Sequence, residues 1–203
     1  MNRLELSVVE MCIESLKRNC FPVGSIVVDE NERIVSKGRN MINETSGGHR
    51  EIYGNAIAHA ELNALAKLDG EHLYKYTIYC SMEPCVMCAG VIYMSGIKNI
   101  VYGMKDYLAG GLNLYGSTEY YSSKKMKVQQ SENLRVIQAV LIGFLENTEY
   151  AIRKAFWEPY LKYYEKEYQT AKKLLSEGIL TSLMNSTMNT DEFVKVVYKN
   201  YYY

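Results

Sequence analysis

The sequence predicts an α/β protein, a sheet covered by helices on both faces, followed by a helical appendage. Three observations carry that prediction. Short β-branched runs alternate with stretches of helical periodicity through the first two thirds of the chain, and turn residues separate them. Beyond Gly143 the pattern changes to helix alone. The 203 residues, 48% of them apolar, suffice for one full core with material left over.

Over residues 3–18, Leu4, Val8, Met11, Cys12 and Leu16 recur at the spacing of one helical stripe, which predicts an opening helix. Residues 23–28 read as a buried strand, Asp29-Glu30-Asn31-Glu32 as a turn, and residues 33–37 as the returning strand of a hairpin. Residues 40–55 are polar, hold Gly47, Gly48 and Gly54, and read as a long loop of the kind that carries function. Ala- and Leu-rich residues 56–68 predict a second helix stopped at Asp69-Gly70. Residues 77–80 predict a strand running into Pro84, which suits the first turn of a third helix over 85–95. Residues 97–102 read as a strand, 103–116 as a glycine-rich loop, and 135–142 as the last strand. Ile152, Ala155, Phe156, Tyr160, Tyr163, Tyr164 and Tyr168 then recur at helical spacing, with Glu158 and Lys162 as an i,i+4 pair, and a short helix is expected near residues 191–198. This divides the chain into a domain over 1–150 and a helical C-terminal extension over 151–203.

Charge bounds the partners. Lys plus Arg (23) balance Asp plus Glu (23), with 15 basic against 17 acidic residues up to Tyr150 and 8 against 6 after it. No broad positive field is present to collect a phosphate backbone. The N-terminal residues lack the apolar stretch of a signal peptide and no run of eighteen uncharged apolar residues occurs, so no membrane partner is expected and the cytoplasm is the expected location. Cys12, Cys20, Cys80, Cys85 and Cys88 are an odd number, poorly spaced for disulfides and better suited to a metal.

Chemistry concentrates in Ala58-His59-Ala60-Glu61 and Glu83-Pro84-Cys85-Val86-Met87-Cys88. Together they form the H-x-E and P-C-x-x-C pattern of zinc deaminases. Two cysteines three apart at a helix start turn both sulfurs toward one point, where a metal and the helix dipole favour thiolate. His59 completes three protein ligands, leaving a fourth position open to water, which makes one Zn2+ per chain catalytic in type. Glu61, two residues past His59, lies close to the metal without entering its shell and serves as proton carrier. A closed zinc site that merely staples the fold is the other reading, but no further Cys or His stands at ligand spacing, and it leaves Glu61 and Pro84 without a role.

These segments, with Pro22-Val23-Gly24, Gly38-Arg39-Asn40 and Ile100 to Asp106, resemble the cytidine deaminase-like superfamily over roughly residues 4–146. The resemblance is to the branch of tRNA adenosine, guanine and cytosine deaminases. It implies a three-layer α/β/α sandwich around a mixed five-stranded sheet, a homodimer, and Asn40 and Ala60 as substrate-binding positions, the Asn40 amide meeting the target ring. The chain departs from the branch in two places. The stretch between Asn40 and His59 is longer than usual, which is expected to bring residues 45–53 to the pocket mouth. Residues 110–116 lack the acidic pair that guanine deaminases carry there.

The expected activity is hydrolytic deamination of an amino-substituted nucleobase or nucleoside with release of ammonia, a small molecule being favoured over tRNA. The alternatives are a tRNA wobble-adenosine deaminase, to which Lys105-Asp106 and the following glycines are similar, and a catalytically idle, zinc-stabilised binding module. Tyr160, Tyr163 and Tyr164 are expected to pack against the domain or a second subunit rather than touch substrate.

Overall fold

A computed structural model describes residues 1–69, 73–147, 160 and 162–203. Helix α1 (Arg3–Lys17) starts at Asn2, whose side chain accepts the Glu5 amide while the Glu5 carboxylate accepts the Asn2 amide. The hairpin β1 (Gly24–Val28) and β2 (Ile34–Arg39) follows, its turn held by Asp29, which accepts the amides of Asn31 and Arg33. Next come α2 (Ala60–Ala66), β3 (Thr77–Met82), α3 (Val86–Ser95) and β4 (Asn99–Met104).

The sheet has five strands in the order β2-β1-β3-β4-β5. β1 runs antiparallel to both β2 and β3, whereas β4 runs parallel to β3 and to β5 (Lys127–Gln130). β1 is buried along its whole length and β5 is an exposed edge. A short helix α4 (Glu119–Ser122) precedes β5, and α5 (Glu132–Gly143) follows it. On one face, α1 and α5 pack with Val8, Cys12, Val136 and Val140; on the other, Ala64 of α2 and Ile92 of α3 close over Ile78 and Ile100. The expected three-layer architecture is therefore present.

Residues 135–142 are not a strand. They lie in α5, which begins at Ser131, whose hydroxyl accepts the Leu134 amide. Val136 to Ile142 are buried all round, so the run carries neither a helical nor a strand period. The fifth strand is instead the polar tetrapeptide Lys127–Gln130. Helix α2 is also shorter than expected, because residues 56–59 form a turn ahead of it.

Of the helix expected over 152–168, residues 152–159 and 161 lie outside those described, and the Glu158–Lys162 pair with them. Tyr164 stands at the N-cap of α6 (Glu165–Ser176), which is followed by α7 (Ile179–Met184) and α8 (Thr190–Tyr202). These helices pack onto the α1/α5 face. Phe193 of α8 meets Phe144 at a ring distance of 6.0 Å, and Ala171 and Leu174 of α6 share that core. Among the described residues no helix is long and apolar enough to cross a membrane.

Candidate metal centre and substrate cavity

The chain directions bring one edge of the sheet into play: the start of β1 and the ends of β2, β3 and β4. Ligands of α/β proteins gather outside the carboxyl ends of parallel strands, and here the ends of β3 and β4 lead to Glu83 and Asp106. Two helices point their N-termini at the same place. His59 is the N-cap of α2, Cys85 is the N-cap of α3, and Cys88 lies one turn further on.

His59 Nδ1 lies 3.6 Å from Cys85 Sγ and 3.5 Å from Cys88 Sγ, and the three ligand atoms fall within 4.8 Å of one another. Zinc with bonds of about 2.3 Å to sulfur and 2.05 Å to nitrogen at tetrahedral angles demands a sulfur-to-nitrogen separation of about 3.6 Å. The residues therefore fit zinc in both donor chemistry and spacing.

Electrostatics set the two thiols apart. The Cys85 thiol is drawn down to about 4, first by its hydrogen bond with Cys88 and then by His59. The Cys88 thiol is pushed up by the same bond to Cys85 and by burial. Glu61 is 3% exposed, and burial raises its carboxyl above the ordinary range. Its Oε2 accepts from Cys88 Sγ at 3.3 Å, adjacent to the ligand set without belonging to it.

The cluster opens into a cavity of about 350 Å³. Phe21, Val23, Ile42, Met82 and Val86 supply its apolar lining, and Asn40, Ala60 and Glu61 also face it. Asn40 is held by its backbone, whose amide donates to Val23 O and whose carbonyl accepts from Ser15 Oγ, while Oδ1 accepts the Ile42 amide at 3.2 Å. Five of the six sequence-predicted residues thus line one space, and the buried Cys88 lies behind them against His59 and Glu61.

The long loop behaves differently from expectation. Ile42 and Ala56 line the cavity, but among the described lining none of residues 45–53 appears. The fully buried Asn63 explains this: its amide donates to Ile52 O and Arg39 O, and its carbonyl accepts the Ile52 amide, binding the loop to α2. Lys67 paired with Glu51 reinforces that attachment.

Two acidic lining residues were not singled out as site residues from the sequence, Glu83 and Asp106, each 8% exposed. Asp106 Oδ1 accepts the amides of Leu108 and Ala109, and the Asp106 amide donates to Glu83 Oε2 at 3.2 Å. The clue available in the sequence was position alone, since Glu83 directly follows the end of β3 and Asp106 comes two residues after the end of β4.

A family profile describing the zinc-binding region of cytidine and deoxycytidylate deaminases matches residues 3–104. The tRNA-specific adenosine deaminase of Rickettsia bellii is 34% identical over 115 residues, 54% of this chain and 72% of that one. The probable cytosine deaminase of Schizosaccharomyces pombe is 29% identical over 147 residues, 68% and 80% of the two chains. In fold, the chain matches a structure from work on A-to-I editing by tRNA:A34 deaminases with a TM-score of 0.52 at 21% identity, covering 63% of this chain and 96% of that one. It matches the guanine deaminase from Nitrosomonas europaea with a TM-score of 0.54 at 23% identity, over 68% and 80%. With the family profile matching half of the chain and a zinc-fitting His59, Cys85 and Cys88, the chain belongs to the family defined by the cytidine and deoxycytidylate deaminase zinc-binding region.

Proposed function

We propose that this protein is a zinc-dependent hydrolytic deaminase acting on an amino-substituted nucleobase or nucleoside. The observation that carries the reading is the His59, Cys85 and Cys88 cluster at zinc spacing, with the buried Glu61 carboxylate against it and the cavity in front. Bound there, zinc would supply Lewis acidity that makes water a nucleophile at neutral pH.

The chain's own residues do the rest. Glu61 takes a proton from the attacking water and hands it to the ring nitrogen beside the amine-bearing carbon. A second transfer through Glu61 lets ammonia leave, so water and the exocyclic amine are exchanged for a carbonyl and ammonia. The Asn40 amide and the Ala60 backbone, both facing the cavity, orient the ring. Residues 1–150 form the deaminase domain and residues 151–203 its helical extension. A homodimer is assigned from the family resemblance, and the cytoplasm from a cysteine set suited to a metal in a reducing compartment.

One observation favours a second reading, deamination of tRNA adenosine: the 34% identity to the Rickettsia bellii relative of that name. The balanced charge of 23 against 23 speaks for the small molecule. Ammonia release measured over bases, nucleosides and a tRNA anticodon stem-loop decides between them. Turnover of a base or nucleoside is expected, falling by roughly 10²- to 10⁴-fold in Glu61→Ala with zinc retained. Conversion of the stem-loop alone would establish the second reading. Undiminished release by Glu61→Ala would remove Glu61 from the chemistry, and silence throughout would leave an idle binding module.

A further inference from the structure

A second part of the cavity wall is built by the loop after β4, which pairs with Cys85 through Gly110, and that loop is gripped from the C-terminal part of the chain. Tyr160, 1% exposed, donates its hydroxyl to Asp106 Oδ1 at 2.5 Å. The hydroxyl of Tyr164, 6% exposed, accepts the Lys105 amide at 2.9 Å. Tyr163 stacks on Tyr107 with ring centroids 3.8 Å apart and planes 17° from parallel. Three tyrosines thus meet three consecutive loop residues.

What they grip matters for the cavity. Asp106 and Ala109 line it, and Asp106 Oδ1 already organises the loop through the amides of Leu108 at 2.9 Å and Ala109 at 2.8 Å. The Asp106 amide holds Glu83, a third lining group, and Gly110 leaves room for it, since a Cβ there would come within 2.7 Å of Glu83 Cδ. Beyond Asp106 the loop ties to the start of α3, with Val86 N donating to Ala109 O at 3.0 Å and Gly111 N to Pro84 O at 2.8 Å. Packing alone would be served by phenylalanine at 160. A buried hydroxyl is costly unless it is bonded, and this one is spent on the single carboxylate oxygen that shapes the wall.

We propose that Tyr160 is a positioning residue for substrate binding: through Asp106 it fixes the cavity wall formed by Glu83, Asp106 and Ala109, so that the C-terminal segment sets substrate affinity without touching substrate. The inference rests on the assignment of this cavity to the substrate ring. Burial, and next the bond to Asp106, raise the Tyr160 phenol far above its ordinary range, so it stays a donor at any physiological pH.

The test compares wild type with Tyr160→Phe, which keeps the ring and loses the donor. Zinc content is measured first and is expected to be equal. Hydrogen–deuterium exchange of peptides covering residues 105–111 is expected to quicken by roughly tenfold, as for a loop losing one charge-assisted hydrogen bond. Exchange identical to wild type overturns the clamp, whatever the substrate. With a base or nucleoside that wild type deaminates, KM is expected to rise about tenfold with kcat within about threefold. Asp106→Ala should show the same split, Asp106→Asn, which keeps an acceptor, should recover most of it, and the Tyr160→Phe, Asp106→Ala pair should do no more harm than Asp106→Ala alone. An unchanged KM, a loss confined to kcat, or multiplying effects in the pair would overturn the assignment to the substrate wall. A wild type silent towards the whole panel would instead sink the deaminase reading, leaving the exchange measurement to decide the clamp.

Discussion

The two walls of the cavity are built on different principles. The metal wall takes His59 and Glu61 from one short segment and Cys85 and Cys88 from another, each placed by the first turn of its own helix. The adjoining wall takes Asp106 from a loop and fixes it with a tyrosine 54 residues along the chain. One wall is local geometry repeated twice, with a metal joining the pieces. The other is long-range packing, in which directed hydrogen bonds do what a metal does beside it. The first lies within the family profile's 3–104 match, whereas Asp106 and Tyr160 of the second lie beyond it.

The largest effect should come from the metal wall. Cys85→Ala removes one of three ligands from a site whose metal binding is coupled to folding. Zinc content is expected to fall below about a tenth per chain and Tm by more than roughly 10 °C, at about 2–4 °C per kcal/mol for a chain of this size. Metal analysis and thermal unfolding read both. Full zinc content would show that Cys85 is not a required ligand, and the metal wall as drawn would lose one of its anchors.

That contrast also decides what could be read from the sequence. His59, Glu61, Cys85 and Cys88 announce themselves because ligand chemistry imposes fixed residue types at fixed spacing. The hairpin is equally plain, since Asp29 to Glu32 is turn chemistry between two β-branched runs. Residues 135–142 mislead for a physical reason: α5 is covered on all sides, by the sheet, α1 and α6, so its β-branched residues carry no polar face to mark a period. The true edge strand, Lys127–Gln130, is four exposed residues and hides by being polar. Only the cap at Ser131 and the acid at Glu132 pointed to a helix start there. Tyr160 was legible as a buried face but not as a hydrogen-bond donor, because a side chain's partner 54 residues away leaves no trace in local spacing.

A smaller effect tests how rigidly the metal wall is seated. Gly38 lies against α2 so closely that a Cβ would overlap the Ala60 carbonyl and the Ala64 amide, both backbone atoms. Gly38→Ala must push α2, and with it His59 and Glu61, away from the sheet. Overpacking of this kind is expected to cost about 1–3 kcal/mol, hence a Tm lower by roughly 3–10 °C, with zinc bound more weakly. Unaltered zinc affinity alongside reduced stability would mean that α2 shifts without its N-terminus, and that the metal, not the strand beneath, fixes that wall.

The smallest effect belongs to the loop wall. Tyr107 and Tyr163 stack face to face, yet they are 46% and 49% exposed, and neither is among the described residues lining the cavity. Such a pair contributes about 0.5–1.5 kcal/mol beyond its area, and solvent on both rings places it at the low end. Tyr107→Ala should therefore lower the urea midpoint slightly and leave KM within about twofold, while Tyr107→Ala combined with Tyr160→Phe keeps the KM of Tyr160→Phe alone. If Tyr107→Ala instead raises KM as far as Tyr160→Phe does, the wall is held by contact area spread over the tyrosines. The single directed bond to Asp106 would then lose its special standing, and the two walls would differ in having a metal and in nothing else.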